Sequence, residues 1–269
     1  MMTHTTEALR VVSGPSTNLR RYRWLLVELV IRDLRLRYRG TYVGFLWTLL
    51  NPIIYMAIYT FVFGFMLNVG IHRYPAYLLA GLVPWTWFLT AVTQGVSAIQ
   101  DGRMYVGKTV FPTEALVVVP VLSNMINFVL SLPLLLIVDA IFRVHIGWSL
   151  LCLPLIVAIQ FVLTYGVLLL LSTYNVFYRD IQQLISLFLT FVFFVNPIFY
   201  TLSQVPQVLH PYLLADPITP IIMAYQDIFF YGTWPSALTL AYAALFSIVI
   251  YFVGKLVFDR HIDAFPEYL

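Results

Sequence analysis

Charge is scarce in this chain of 269 residues. Only 10% of its residues are Asp, Glu, Lys or Arg, and they gather in a few places. From Gly40 to His72 the only ionisable acid or base is His72 itself. With histidine counted as neutral, uncharged runs also cover Tyr74–Gln100, Ala115–Val138, Val144–Tyr178, Ile181–Ala215 and Ile228–Gly254. Each exceeds the ~20 apolar residues a helix needs to cross a bilayer. With 61% hydrophobic residues and a mean hydropathy of +0.87, the composition excludes an ordinary soluble domain. The chain reads as an integral membrane protein.

Cysteine is nearly absent. Cys152 stands alone inside an apolar run, which excludes an internal disulfide and thiol-based metal chemistry. His4, His72, His145, His210 and His261 are scattered through tails and loops without metal-ligand spacing. Long polar segments are missing too. The longest non-spanning piece precedes Gly40, which leaves no room for a soluble catalytic domain of ~100 residues. Those residues also lack an apolar stretch ahead of their arginines, so no cleavable signal peptide is expected. Basic residues flanking the spans account for the net charge of +3 without a nucleic-acid partner.

Six crossings follow: Gly44–Leu67, Tyr77–Ile99, Ala115–Val138, Trp148–Phe177, Leu184–Leu202 and Ser236–Lys255. The Lys/Arg bias orients them. With the N-terminus inside, Arg10, Arg20, Arg21, Arg23, Arg32, Arg35, Arg37 and Arg39 precede the first span. Arg103 and Lys108 follow the second, Arg179 the fourth, and Lys255 and Arg260 the last. Only Arg73 and Arg143 fall outside, so both termini are expected in the cytoplasm. Asp216–Pro235 (DPITPIIMAYQDIFFYGTWP) is apolar but broken by Pro217, Pro220, Asp227 and Gly232. It reads as a re-entrant or interfacial helical hairpin on the outer side, tolerated only where protein or a watery cavity covers it. A surface-lying outer loop is the plainer alternative. The expected fold is an all-α integral membrane protein, with a cytoplasmic tail and interfacial helix over 1–40 and a six-span domain over 41–269.

Tyr22–Arg39 has helical periodicity. Glu28, Arg32, Arg35 and Arg39 share one stripe, and Val27, Ile31, Leu34 and Tyr38 form an apolar stripe beside it. A basic amphipathic helix of this kind lies in the membrane interface. It serves either as a positive-inside anchor or as a docking surface for a partner.

Gly102–Thr109 (GRMYVGKT) satisfies the phosphate-loop pattern. That chemistry needs a strand before the loop and a helix after it. Here the match sits in a short connection between spans, with Pro112 where the phosphate-binding helix should run. The match is rejected, and nucleotide chemistry is expected in another chain.

Asn51-Pro52-Ile53-Ile54-Tyr55 in span one is echoed by Asn196-Pro197-Ile198-Phe199-Tyr200 in span five. Each proline removes a backbone hydrogen bond and is expected to bend its helix, while the neighbouring amide satisfies a freed group or faces a polar cavity. Aromatics make up 17% of the chain and crowd around both breaks. Aromatic faces stack on sugar rings, so two broken, aromatic-rich helices are candidates for lining a path for carbohydrate. Lipid-facing or packed aromatics are the plainer alternative.

A resemblance rests on a series of pieces from about Leu25 onward. Arg32-Asp33-Leu34-Arg35-Leu36-Arg37-Tyr38-Arg39-Gly40 leads into Gly44-Phe45-Leu46-Trp47 and Asn51-Pro52. Lys108 to Pro112 (KTVFP), Asn175-Val176-Phe177-Tyr178-Arg179-Asp180, the second Asn-Pro segment and Asp216-Pro217-Ile218-Thr219-Pro220 follow. In this order they resemble the membrane subunit of a polysaccharide-exporting ABC transporter, of the type-2 permease family that handles O-antigen, capsule or teichoic acid. The resemblance implies a homodimer of six-span subunits in a bacterial cytoplasmic membrane, with two ATP-binding subunits beneath. ATP and Mg would bind those partners, and this chain would hold no cofactor and perform no covalent chemistry. ATPase contact is implied for Arg32, Arg35, Arg39, Arg103, Lys108, Arg179 and Asp180. A channel wall is implied for Trp47, Asn51, Tyr55, Tyr59, Phe63, Phe191, Phe194, Asn196 and Tyr200. An outer gate is implied at Asp216, Pro217, Pro220 and Asp227, where Asp216 replaces the Asn found in many relatives. The implied cargo is a lipid-linked polysaccharide.

Two other readings stay open. One is a permease of the same superfamily for a drug or small lipid. The other is a membrane-embedded enzyme acting on lipid-linked sugar, with Asp139, Asp216 and Asp227 as its acids, although their spacing forms no recognisable catalytic set.

Overall fold

The computed structural model describes residues 23–40, 44–106, 112–144 and 147–269. Among them every regular element is helical. Helix α1 (Arg23–Tyr38) precedes α2 (Trp47–Tyr59), which continues as a π-helical stretch, Thr60–Met66. Next come α3 (Tyr74–Gly95), the short α4 (Ala98–Asp101) and α5 (Glu114–Ile141). A 3-10 turn, Trp148–Cys152, leads into α6 (Leu153–Phe177), and α7 (Ile181–Val195) follows. Two arms, α8 (His210–Ala215) and α9 (Ile218–Gln226, extended as a π-helix over Asp227–Tyr231), precede α10 (Ala237–His261) and α11 (Phe265–Tyr268).

Among the described residues, five helical segments are long and apolar enough to cross a membrane: Trp47–Met66, Tyr74–Gly95, Glu114–Ile141, Trp148–Phe177 and Ala237–Tyr268. They correspond to expected spans one to four and six. The fifth differs. Leu184–Leu202 was expected to cross with a bend at Pro197, but α7 has only 15 residues and stops at Val195. A helix of that length reaches about 22 Å, short of a hydrocarbon core of ~30 Å. Part of the reason is local, and the rest is tertiary. A residue before proline is driven out of the α region, and Asn196 is extended, with φ −70° and ψ 145°. Pro52 behaves otherwise, sitting inside α2 without ending it.

Helix α3 is apolar around its whole circumference and is the buried centre of the subunit. Its side chains from Ala76 to Trp85 have almost no exposed surface. Helices α6 and α10 make the most extensive pairing. Their backbones meet at two glycines: a Cβ on Gly254 would lie 2.4 Å from the Gly166 carbonyl oxygen. By contrast, α2 and its π-helical extension bury only Pro52 within the subunit.

Helix α1 is rotated relative to its expected stripes. Glu28, Arg32, Arg35 and Arg39 are exposed, as the periodicity predicts. Of the neighbouring apolar set, however, Val27 and Ile31 face outward too. The side turned toward the protein carries Leu26, Val30, Asp33 and Arg37. Polar bonds from Arg37 to α3 and α5 set this rotation, and apolar side chains facing lipid from an interfacial helix carry little penalty.

Candidate functional site

One end of the bundle collects the basic loops. The Arg32 guanidinium donates to the Tyr105 hydroxyl at 2.8 Å and lies over its ring, tying α1 to the loop after α4. Gln100 Nε2 donates to the Asn175 carbonyl at 2.6 Å, tying α4 to the end of α6. Arg103 and Arg179 share a recess of about 440 Å³ with Gln100, Asp101, Tyr268 and Leu269. Asp180 is exposed beside them as the N-cap of α7. The structure thus brings Arg32, Arg103, Arg179 and Asp180 to one end. Arg35 and Arg39 lie on another side of α1, against Asn127 and Leu130 of α5. Lys108 lies outside the described residues. So does the rest of the phosphate-loop match from Gly107 onward. Before it, α4 and a turn occupy the place where a strand would be needed.

Between α1, α2, α3 and α5 lies a cleft of about 300 Å³, where Tyr38, Thr48, Asn51, Gln94 and Asn127 meet apolar Trp47, Trp87 and Phe128. Its hub is Arg37. Nη1 donates to Asn124 Oδ1 at 2.8 Å, and Nη2 donates to Gln94 Oε1 at 2.7 Å and Asp33 Oδ2 at 3.0 Å. Asn124 Nδ2 in turn donates to Gln94 Oε1 and to the Pro120 carbonyl. Beside it the Tyr38 hydroxyl meets Thr48 Oγ1 at 2.7 Å and donates to Asn127 Oδ1 at 3.1 Å. Sequence reasoning used Arg37 to orient the chain and as part of the resemblance, not as a bonding hub. The signal it missed was the pair of amides, Asn124 and Asn127, inside an apolar run, because polar groups at that depth need partners.

The expected wall residues fall into three settings. Trp47, Asn51 and Tyr55 follow each other at four-residue spacing on α2 and are exposed, as are Phe191 and Phe194 on α7. Tyr59, Phe63 and Tyr200 are half-buried. Tyr59 and Phe63 pack on Phe199, with ring centroids 4.9 and 4.7 Å apart. Phe193 and Phe194 close on the same ring. Phe199 is 1% exposed and anchors the contact between α2 and the end of α7.

Asn196 has no exposed surface. Its Nδ2 donates to the Val192 carbonyl at 2.9 Å and to Asp216 Oδ2 at 3.0 Å, and its Oδ1 accepts from Thr219 Oγ1 at 2.7 Å. The irregular backbone after it exposes carbonyls that no helix satisfies. Tyr77 donates to Pro197 and Tyr200, Tyr74 to Phe199, and Gln226 to Pro197. These partners come from α3 and α9, so the broken segment is completed by tertiary structure.

Among the expected gate residues, Asp216 also accepts from the Ile218 amide at 3.2 Å, which starts α9. Both carboxylate oxygens of Asp216 are thus partnered. Burial raises its pKa, opposed by the Asn196 and Ile218 donors. Pro217 is the N-cap of α9 and Pro220 is buried in its first turn. Asp227 opens the π-helix, and burial pushes its carboxyl up to about 6. Gly232, at φ 65°, ends that helix in the left-handed region that glycine adopts without a Cβ penalty.

Comparison with known proteins places this architecture. The model of the ABC-2 type transporter family matches residues 25–230. The O-antigen export system permease protein RfbA of Myxococcus xanthus is 37% identical over 251 residues, which is 93% of this chain and 96% of that protein. A protein of the same name from Klebsiella pneumoniae is 28% identical, covering 91% and 95% of the two chains. The polysialic acid transport protein KpsM of Escherichia coli is 24% identical, covering 88% and 93%. With its apolar spans and a family match over most of its length, the chain is a multi-pass membrane protein and belongs to the ABC-2 type transporter family.

Proposed function

We propose that this chain is the channel-forming permease of an ABC transporter that exports a lipid-linked, O-antigen-like polysaccharide across the cytoplasmic membrane. Two copies would form the conduit, and ATP and Mg would be bound and ATP hydrolysed by two separate subunits docked at the end carrying Arg32, Arg103, Arg179 and Asp180. Lys108 would belong to that same face. With Lys and Arg concentrated there, both termini would be cytoplasmic. Helix α7 would form the fifth of six crossings together with the segment after Asn196, and α8–α9 would be the re-entrant outer gate.

The stripe Trp47, Asn51, Tyr55 carries this reading. A spanning helix that buries only a proline inside its own subunit, yet exposes an amide, is costly to leave against lipid. Cover by a second subunit and a watery path removes that cost. The aromatic rings around the amide supply stacking faces for sugar. Asn196 holds the gate rather than the wall. The names of the similar proteins point to the same class of cargo.

The test is ATP-driven movement of a lipid-linked glycan into vesicles carrying this chain and its ATP-binding partner. Asn51→Leu is expected to lower glycan transport while the partner's ATPase persists. Transport without nucleotide, or ATP hydrolysis by this chain alone, overturns the proposal.

A further inference from the structure

The outward side of α1 near its C-terminal end forms a notch against α5. Leu34, Arg35, Tyr38 and Arg39 from α1 face Asn127 and Leu130 from α5 across a space of about 490 Å³. No carboxylate lines it. The acid nearest in sequence, Asp33, is turned to the other side of α1 and bound to Arg37. Arg35 and Arg39 are exposed. Asn127 Oδ1 accepts from the Tyr38 hydroxyl, a bond that does not use its Nδ2 hydrogens. The notch thus combines two cationic side chains and an amide with an otherwise apolar surface, beside Asn127 and Leu130 midway along α5. Beyond it, Leu130, Ile137 and Ile141 are exposed at helical spacing along α5, at 41%, 57% and 69%. Guanidinium groups at one end and an apolar track leading away along α5 match the two halves of a lipid molecule.

We infer that this notch binds the phosphate head of an anionic lipid in the leaflet where α1 lies, with its acyl chain along α5. Arg35 and Arg39 take the phosphate oxygens and Asn127 Nδ2 adds a neutral donor. Planar guanidinium groups suit phosphate better than a point charge does. Bound there, the lipid fixes α1 against α5 on the face away from Tyr105, so it completes the seating of the interfacial helix that Arg32 and Arg37 begin on the other side. The occupant is a bulk anionic phospholipid; a polyprenyl pyrophosphate shares the phosphate chemistry and is an outcome of the test.

The full chain, purified in detergent, is mixed with dioleoyl phosphatidylglycerol or with dioleoyl phosphatidylcholine, and bound lipid is counted by native mass spectrometry. The acyl chains are identical, so only the head differs. Preferential retention of phosphatidylglycerol is expected, and Arg35→Gln/Arg39→Gln is expected to reduce it by roughly tenfold. Arg23→Gln, on the same helix but away from the notch, should leave it unchanged. Equal retention of the two lipids by the unaltered chain overturns the inference, whatever the variants do. So does a wild-type preference in a double variant that still elutes as a single species. Displacement of phosphatidylglycerol by an equal concentration of polyprenyl pyrophosphate identifies the carrier lipid as occupant, and failure to displace identifies the bulk phospholipid. Binding is read without transport, so the outcome is independent of the exporter reading.

Discussion

Asn196 and Asp216, each standing immediately before a proline, are hydrogen-bonded to each other at 3.0 Å. One ends α7 and the other starts α9, so a single amide–carboxylate contact sets where α7 stops and where α9 begins.

Asn196→Asp puts two carboxylates at that contact. The variant is expected to be destabilised at neutral pH by about 1–3 kcal/mol, the usual cost of spoiling a buried polar contact, and like charges raise one of the two pKa values. The exchanged pair Asn196→Asp/Asp216→Asn restores one amide and one carboxylate and should recover most of the loss. Thermal denaturation of the purified variants checks both, and no recovery in the pair would refute the assignment.

Asp227 makes the hairpin pH-sensitive. Its carboxyl moves from 3.8 to about 6 on burial, so between those values the folded chain keeps a proton that the unfolded chain has lost. The stabilisation is complete below about pH 4 and disappears as pH rises through about 6. Asp216 shifts in the same direction. Asp227→Asn should therefore reduce the fall in melting temperature between pH 4 and 7, and an unchanged slope would place the titration elsewhere.

Lys255 Nζ donates to Glu114 Oε2 at 2.8 Å, joining α10 to the start of α5, and the Tyr165 hydroxyl holds the other carboxylate oxygen at 2.5 Å. Glu114 is 3% exposed. Removing one partner of such a pair costs about 3–5 kcal/mol. Lys255→Met should thus lower thermal stability markedly, and Glu114→Gln/Lys255→Met should regain much of it. Equal losses in the single and double variants would contradict this coupling.

The α6–α10 crossing depends on missing side chains. A Cβ at Gly254 would meet the Gly166 carbonyl, and one at Gly166 would lie 2.6 Å from the Tyr251 amide nitrogen. Backbone atoms cannot swing aside as a side chain can. Gly254→Ala is expected to cost about 1–3 kcal/mol by overpacking, read as a lower melting temperature of the detergent-solubilised chain.

Arg37 joins three helices. Arg37→Gln keeps a donor but removes the charge and the bond to Asp33. In vesicles with the ATP-binding partner, glycan transport is expected to fall more than ATP hydrolysis. Equal reduction of both would assign Arg37 a purely structural role.

Much of the fold was legible because bilayer thickness acts on composition alone. The uncharged runs located five apolar spanning helices, four of them within a few residues at both ends, while the last runs on past the expected Lys255 to His261, and the exposed stripe of Glu28, Arg32, Arg35 and Arg39 followed from helical spacing. Pro197 was read as a bend, yet it ended α7, because nothing local says whether the carbonyls beyond Asn196 will find donors. Tyr74, Tyr77 and Gln226 supply them, and Tyr74 and Tyr77 lie more than a hundred residues away in sequence. The rotation of α1 escaped for the same reason: a stripe of apolar residues does not outweigh an arginine whose partners lie on α3 and α5.

Membrane residence, the family and the placing of charge outside the spans are properties of the sequence itself, since each depends on composition and order along the chain. The joining of Asn196 to Asp216, the inward turn of Arg37 and the glycine contact between α6 and α10 were decided by tertiary structure. In the apolar interior a polar group must be satisfied by whatever helix packing brings near, and sequence distance does not measure that nearness.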